Sequence, residues 1–272
     1  WKVSLNNISS DNFKVMVGDK MLEKLDKQQA YREAHEGAVL INKSESYIVE
    51  EFDIKNRLIK VKKWDVEHHT QALKSTDIRI INTINNKSIG NLNLSYGDLE
   101  VSERYYKYKM MIYDKKIGEE ELNLPPISFK TKGFWFTLPY VFKEVPEHIA
   151  TEARYEGGLH GAEHAIIAMT PFHVMCDRFD LGGLSTTFHE DTGWATIFVY
   201  DGFAGGIGLT EKAIEMFEEI VNKTYKLVKG CNCKNGCPAC IYAPNCGNEN
   251  DPLDKEGTIL VLEKMINMMK KN

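Results

Sequence analysis

The chain has 272 residues, 43% of them hydrophobic and 27% charged, with a formal net charge of −5. That length and balance fit one large or two modest globular domains, with enough chain to bury a core without disulfide staples. They exclude a membrane span, for which no apolar run reaches the required ~18 residues. The first residues carry no basic segment, apolar core and cleavage site of the kind that marks a secretory signal. The chain opens at Trp1 rather than Met, which suits a piece of a longer protein. Charge is unevenly placed: residues 1–137 hold 22 Lys and Arg against 20 Asp and Glu, whereas residues 138–272 hold 12 against 19. The acidic second half is therefore a poor general binder of phosphate backbone.

In chain order, residues 2–5 and 13–17 are strand-like, with Asn and Ser turns between them, and residues 26–34 suit a short helix. Residues 37–41, 46–52 and 57–64 are rich in β-branched and aromatic types, and Asp53-Ile54-Lys55-Asn56 reads as a hairpin turn. Strands follow at 77–84, 88–94 and 97–113. Short strands at this spacing predict a β-rich, barrel-like domain over 1–137. No fixed-period repeat or low-complexity tract interrupts it. Arg57, Lys60, Lys62 and Lys63 lead to Trp64, and Arg104, Lys107, Lys109, Lys115 and Lys116 are interleaved with Tyr105, Tyr106, Tyr108 and Tyr113. Cations among stackable rings suit single-stranded nucleic acid. An ordinary two-faced strand, with solvated lysines and half-buried tyrosines, gives the same pattern.

The proline-marked stretch from Pro125 to Pro146 leads into a second domain over 138–272. Residues 146–155 suit a helix, Gly157-Gly158 is expected to interrupt it, and 159–169 suits a second helix ending before Pro171. His160, Glu163 and His164 lie on one face of that second helix, the arrangement of one class of zinc peptidases. Two imidazoles would hold an ion and the carboxylate would activate water. No third ligand motif follows, so a buried polar cluster is the simpler reading. Asp177 and Asp180 near Gly182-Gly183 suit a turn cap better than a cation site, and Cys176 suits packing. Residues 194–200 form a strongly apolar strand before a glycine loop through Gly205, Gly206 and Gly208. That loop lacks the Gly-Lys-Ser/Thr ending of a nucleotide cradle, so tight packing explains it. A helix at 210–228 would be capped by Thr210, and a last helix spans 254–271.

Five of the six cysteines fall between Cys231 and Cys246. The spacing Cys231-x-Cys233-x3-Cys237-x2-Cys240 lets one compact loop aim four sulfurs at one structural zinc ion. Disulfides, a redox pair and an iron–sulfur cluster are the alternatives. Cys246 lies beyond Pro244, where the chain turns toward the last helix, and is expected to stay outside the four-sulfur set. Clustered thiols of this kind suit a reducing cytoplasm.

In order, His160-x-x-Glu163-His164, Asp177-x-x-Asp180-x-Gly182-Gly183, Tyr200-Asp201-Gly202-x-x-Gly205-Gly206-x-Gly208 and the cysteine string resemble the MrfA-type zinc-binding domain. The resemblance covers about residues 155–265. That domain lies at the C-terminus of superfamily 2 DExH-box helicases, RecQ-like 3′–5′ DNA helicases linked to DNA repair. The resemblance implies zinc on Cys231, Cys233, Cys237 and Cys240. It also implies motor domains of the same polypeptide and DNA, in single-stranded form, as partners. Neither a phosphate-binding Lys loop nor an Asp-Glu-x-His box occurs, so this stretch has no catalytic residues of its own and no ATPase activity is expected. The expected architecture is α+β, a β-rich N-terminal domain followed by a zinc-stabilised α/β domain. Its expected role is accessory, supporting the motor and guiding DNA along Arg104, Lys107, Lys109, Lys115 and Lys116. The rivals are a stand-alone metal-dependent hydrolase using His160, Glu163 and His164, and a scaffold that binds only partner proteins.

Overall fold

The computed structural model of the chain describes residues 12–113, 115–139, 151–244 and 246–270. The expected strand at 2–5 and the expected helix start at 146–150 lie outside the described residues. The fold is α+β, as expected. Two compact units are discontinuous in sequence. The first takes the described residues up to Ser75 with Glu103–Ile127, and the second takes Thr76–Ser102 with the described residues from Ser128 onward. A linear division at residue 137 does not follow this partition, because two long strands, β6 (His69–Ile89) and β7 (Leu92–Ile112), contribute residues to both units.

In the first unit, β1 (Phe13–Val17), β2 (Lys20–Leu25), β3 (Val39–Asn42), β4 (Glu45–Asp53) and β5 (Leu58–Lys63) form one sheet. The strand order is an open path, β2-β1-β5-β4-β3, in which only β1 and β5 run parallel. Alternation puts Phe13, Val15, Val49, Ile59 and Val61 on the buried side. Helix α1 (Lys27–Glu33) begins where the Asp26 side chain accepts from the Gln29 amide, and it packs Ala30 and Tyr31 into the same core. The Asp53 side chain accepts from the Asn56 amide at 2.9 Å, closing the predicted β4–β5 hairpin turn. Strand β8 (Lys115–Glu121) pairs with the end of β7.

The three strands expected over 77–113 are replaced by the two 21-residue strands β6 and β7. Asn85 and Asn86, between the expected strands at 77–84 and 88–94, lie within β6, in a stretch exposed from Ile81 to Asn86. Polar side chains there stay solvated, so low strand propensity costs little. The actual turn is at Gly90-Asn91, where Gly90 has φ +56°.

In the second unit, β9 (Ile127–Leu138) and β11 (Trp194–Asp201) sit inside a sheet ordered β10-β11-β9-β7-β6, with β10 spanning Leu181–His189. Successive β9 side chains go to opposite faces. Phe134 and Phe136 meet Phe217 of a covering helix, and Trp135 packs with Phe198 on the other side. Burial on both faces explains why β11 is one continuous apolar run. Helices α2 (Glu152–Met169), α4 (Phe217–Gly230) and α5 (Lys255–Lys270) cover the first face with Ala162, Ile166, Ile220, Val261 and Met265. No helix among the described residues is long and apolar enough to cross a membrane.

Two helix expectations need correction. Gly157-Gly158 does not interrupt a helix, because α2 runs unbroken through both. Their role is close approach to α5: a Cβ on Gly158 would lie 2.7 Å from the backbone carbon of Gly257, and one on Gly157 2.8 Å from the Asp254 amide. The helix expected over 210–228 is two helices, α3 (Leu209–Glu215) and α4, broken at Met216. Alanine is favoured over glycine inside a helix by ~1 kcal/mol, but at Gly158 the clash is with backbone that cannot rotate away. Overpacking of this kind costs about 1–3 kcal/mol, so Gly158→Ala is expected to destabilise on balance. A denaturant midpoint at or above that of the unaltered chain would refute the close-packing account.

Candidate metal centre

Helix α4 ends at Gly230, and Cys231 leaves it in extended conformation. Gly236 then adopts φ +111°, a turn that a side chain would obstruct, since a Cβ there would lie 2.6 Å from Ile241. After it the carbonyl of Cys237 accepts from the amides of Cys240, Ile241 and Tyr242 at 3.0, 3.2 and 3.1 Å. This knuckle turns Cys237 and Cys240 toward Cys231 and Cys233. The sulfur separations are 3.5 Å for 231–233, 3.6 Å for 231–237, 3.5 Å for 233–240 and 3.7 Å for 237–240. A tetrahedron with ~2.3 Å metal–sulfur bonds has edges of about 3.8 Å. The spacing fits a four-sulfur cage and is far from the ~2.05 Å of a disulfide, and all six cysteines are free.

Burial, aided by the Cys233 sulfur, pushes the Cys240 thiol up to about 12. Burial also opposes ionisation of Cys233, yet hydrogen bonds with Cys240, Cys231 and Cys237 bring it down to about 7. Four adjacent thiolates repel one another, so they coexist only around a cation. Lys255, 8% exposed at the start of α5, donates to the carbonyls of Cys231 and Cys233 at 2.6 and 2.7 Å. Its charge and two hydrogen bonds hold the loop from behind. Lys255 carries no motif, and sequence reading missed it.

Cys246 stands apart from the four sulfurs, with its Sγ 3.4 Å from His160 Nε2. His160 and His164 project from α2 with ring centroids 4.2 Å apart. His160 Nδ1 faces the Pro252 carbonyl and His164 Nδ1 the Ile241 carbonyl, each at 2.9 Å. Burial first, then the neighbouring His160, pushes His164 down to about 3, so it is neutral at pH 7. Burial would lower His160 too, but the hydrogen bond with Cys246 and the Glu163 charge outweigh it, raising the group to about 9. Glu163 is buried against β10, where a Cβ on Gly183 would come within 2.6 Å of its carboxylate. In the hydrolase reading His160 and His164 hold the ion and Glu163 acts as base; the donor that lies beside the two imidazoles as a possible third ligand is Cys246.

The remaining motifs serve the backbone. Asp177 and Asp180 form a reciprocal capping box at a short 3-10 turn, as the cap reading expects. Thr210 does not cap α3; Gly208 occupies that position without a side-chain bond. The cap comes from fully buried Asp201 at the end of β11, whose carboxylate accepts from the amides of Ile207, Gly208, Leu209 and Thr210 at 2.7, 2.8, 3.3 and 2.8 Å. Gly206 packs against Lys132 with φ +72°, in keeping with the packing reading of the glycine loop.

The basic residues are spread unevenly. Arg104, Tyr106 and Lys115 are exposed on β7 and β8, and Tyr113 is exposed at the turn. Lys107 and Lys116 both reach Glu119, which their hydrogen bonds hold down at about 2. Lys109 is buried. Of the other basic strand, Lys60 and Lys63 pair with Glu51 and Glu45 at 2.7 and 2.5 Å.

A four-cysteine loop closing a helix-covered sheet defines a zinc-binding type of domain. Residues 162–241 match the family model described as the MrfA Zn-binding domain. The chain belongs to this family and is homologous to the C-terminal region of ATP-dependent helicases that carry it. It is 28% identical over 272 residues to the uncharacterized ATP-dependent helicase YprA of Bacillus subtilis, covering 97% of this chain and 35% of that protein. It is 42% identical over 113 residues to the uncharacterized protein MJ1572.1 of Methanocaldococcus jannaschii, covering 40% of this chain and 99% of that one. The ATP-dependent helicase HRQ1 of Saccharomyces cerevisiae is 26% identical, with 96% and 26% covered. The crystal structure of the DUF1998 helicase MrfA bound to DNA superposes with TM-score 0.62 at 26% identity, covering 97% of this chain and 35% of that one. The chain therefore spans about a third or less of the length of these helicases.

Proposed function

We propose that the chain is the accessory C-terminal region of an ATP-dependent 3′–5′ DNA helicase acting in DNA repair in the cytoplasm. One zinc ion on Cys231, Cys233, Cys237 and Cys240 stabilises its α/β part, and its β-rich part guides single-stranded DNA past motor domains of the same polypeptide. The observation that carries this reading is the four-sulfur cage, with spacing near that of a tetrahedral zinc site, at the cysteines where the family model ends. The relatives named as helicases, and a related helicase crystallised with DNA, support the rest.

Arg104, Lys107, Lys115 and Lys116 are the proposed DNA-binding residues; Lys109, expected to join them, is buried and is left out. Removing one cation that pairs with a phosphate should flatten the salt dependence of binding by about one unit of log–log slope. Glu119 already occupies Lys107 and Lys116. The pair Arg104→Ala/Lys115→Ala is therefore expected to weaken single-strand binding more than Lys107→Ala/Lys116→Ala. Titration against labelled oligonucleotide at several salt concentrations measures this, and equal slopes in all variants would remove this surface. Unwinding by the full-length protein, compared on 3′-tailed and 5′-tailed duplexes, tests the polarity. The 272-residue chain alone should hydrolyse no ATP.

A further inference from the structure

We propose that His160, His164 and Cys246 form a second metal site, with three protein donors, that takes a divalent ion of the zinc type. The donor atoms of these residues all lie within 4.8 Å of one another. His160 and His164 are one turn apart on α2, so both rings leave the same face. The His160 Nε2 to Cys246 Sγ distance is 3.4 Å. An imidazole nitrogen and a thiolate bound to one tetrahedral zinc would be about 3.6 Å apart.

The tautomers point the same way. The Pro252 and Ile241 carbonyl oxygens can only accept, so the Nδ1 atoms facing them carry the hydrogens. That leaves His164 Nε2 bare, while His160 Nε2, which faces Cys246 Sγ at 3.4 Å, would give up its proton as an ion binds. A ring held through one nitrogen by a backbone carbonyl, with the other nitrogen aimed at a shared point, is the arrangement of metal-ligating histidines. A hydrogen bond alone would join His160 to Cys246, but it does not call for a second, similarly oriented imidazole beside them. Two imidazoles and a thiolate favour zinc or cobalt over magnesium or calcium. Such an ion would tie α2 to the segment between the four-sulfur loop and α5.

Zinc per chain, measured on the purified 272-residue protein, tests this. Two ions are expected, with a zinc X-ray absorption shell holding both nitrogen and sulfur. His160→Ala and Cys246→Ala should each bring the content to one and leave an all-sulfur shell. Cys237→Ser should also leave one ion, now in a nitrogen-containing shell. One ion per unaltered chain with an all-sulfur shell overturns the proposal, and that measurement needs no variant to fold. If Cys237→Ser keeps both ions, the four-sulfur assignment fails while the histidine site stands.

Discussion

Cys237→Ser is expected to cost the chain the four-sulfur ion and to lower its melting temperature by on the order of 10 °C. Structural zinc sites in small peptides bind with apparent free energies of ~10–16 kcal/mol, all of it available to folding. Here the sheet and helices hold a core of their own around Phe134, Phe217 and Val261, so only part of that energy is lost. About 3–5 kcal/mol, at roughly 2–4 °C per kcal/mol for domains of 150–250 residues, gives the stated shift. Ligands bind deprotonated, so acidification should release the ion as well, and stability should fall with pH in a zinc-dependent way. Lys255→Met, which removes the two hydrogen bonds behind the loop, should weaken zinc retention without abolishing it. Unchanged melting of a Cys237→Ser chain that has lost the four-sulfur ion would show that the loop does not support the fold.

Asp201→Asn should destabilise nearly as much although it changes no motif ligand. One buried carboxylate accepts from four consecutive amides between Ile207 and Thr210. Hydrogen bonds to a charged group contribute about 1.5–3 kcal/mol each, and a stranded buried donor costs about 1–3 kcal/mol. Asparagine keeps one acceptor oxygen and turns an NH2 group toward amides that need acceptors, so a loss of roughly 3–5 kcal/mol follows. Chemical denaturation measures it. A change below about 1 kcal/mol would mean that other groups satisfy the loop.

What the sequence makes legible is local. Four cysteines within ten residues declare their cage because the whole ligand set sits in one loop. The Asp177–Asp180 box and the β4–β5 turn are legible for the same reason. The rest depends on partners distant in the chain. Cys246 meets His160 across 86 positions, and α2 tolerates its glycines only because α5 lies against them. Asp201 replaces Thr210 as the cap because its strand ends beside the glycine loop. The resemblance to a helicase domain named the family, but no motif could announce Lys255, whose task is set by two carbonyls 24 and 22 residues away.

The tight seat of α2 against α5 has a consequence for how the protein is made. Helix α2 is complete at Met169, whereas its partner begins only at Lys255 and so leaves the ribosome later. Translation proceeds at about 5–20 residues per second, so the nascent second unit waits several seconds with the glycine face of α2 and the apolar side of α4 uncovered. The cysteine loop emerges before α5 does. Zinc captured at that stage would order the segment leading to α5 and shorten the search that docks it. Cellular zinc supply would then govern how much chain reaches its finished form as well as how long that form lasts.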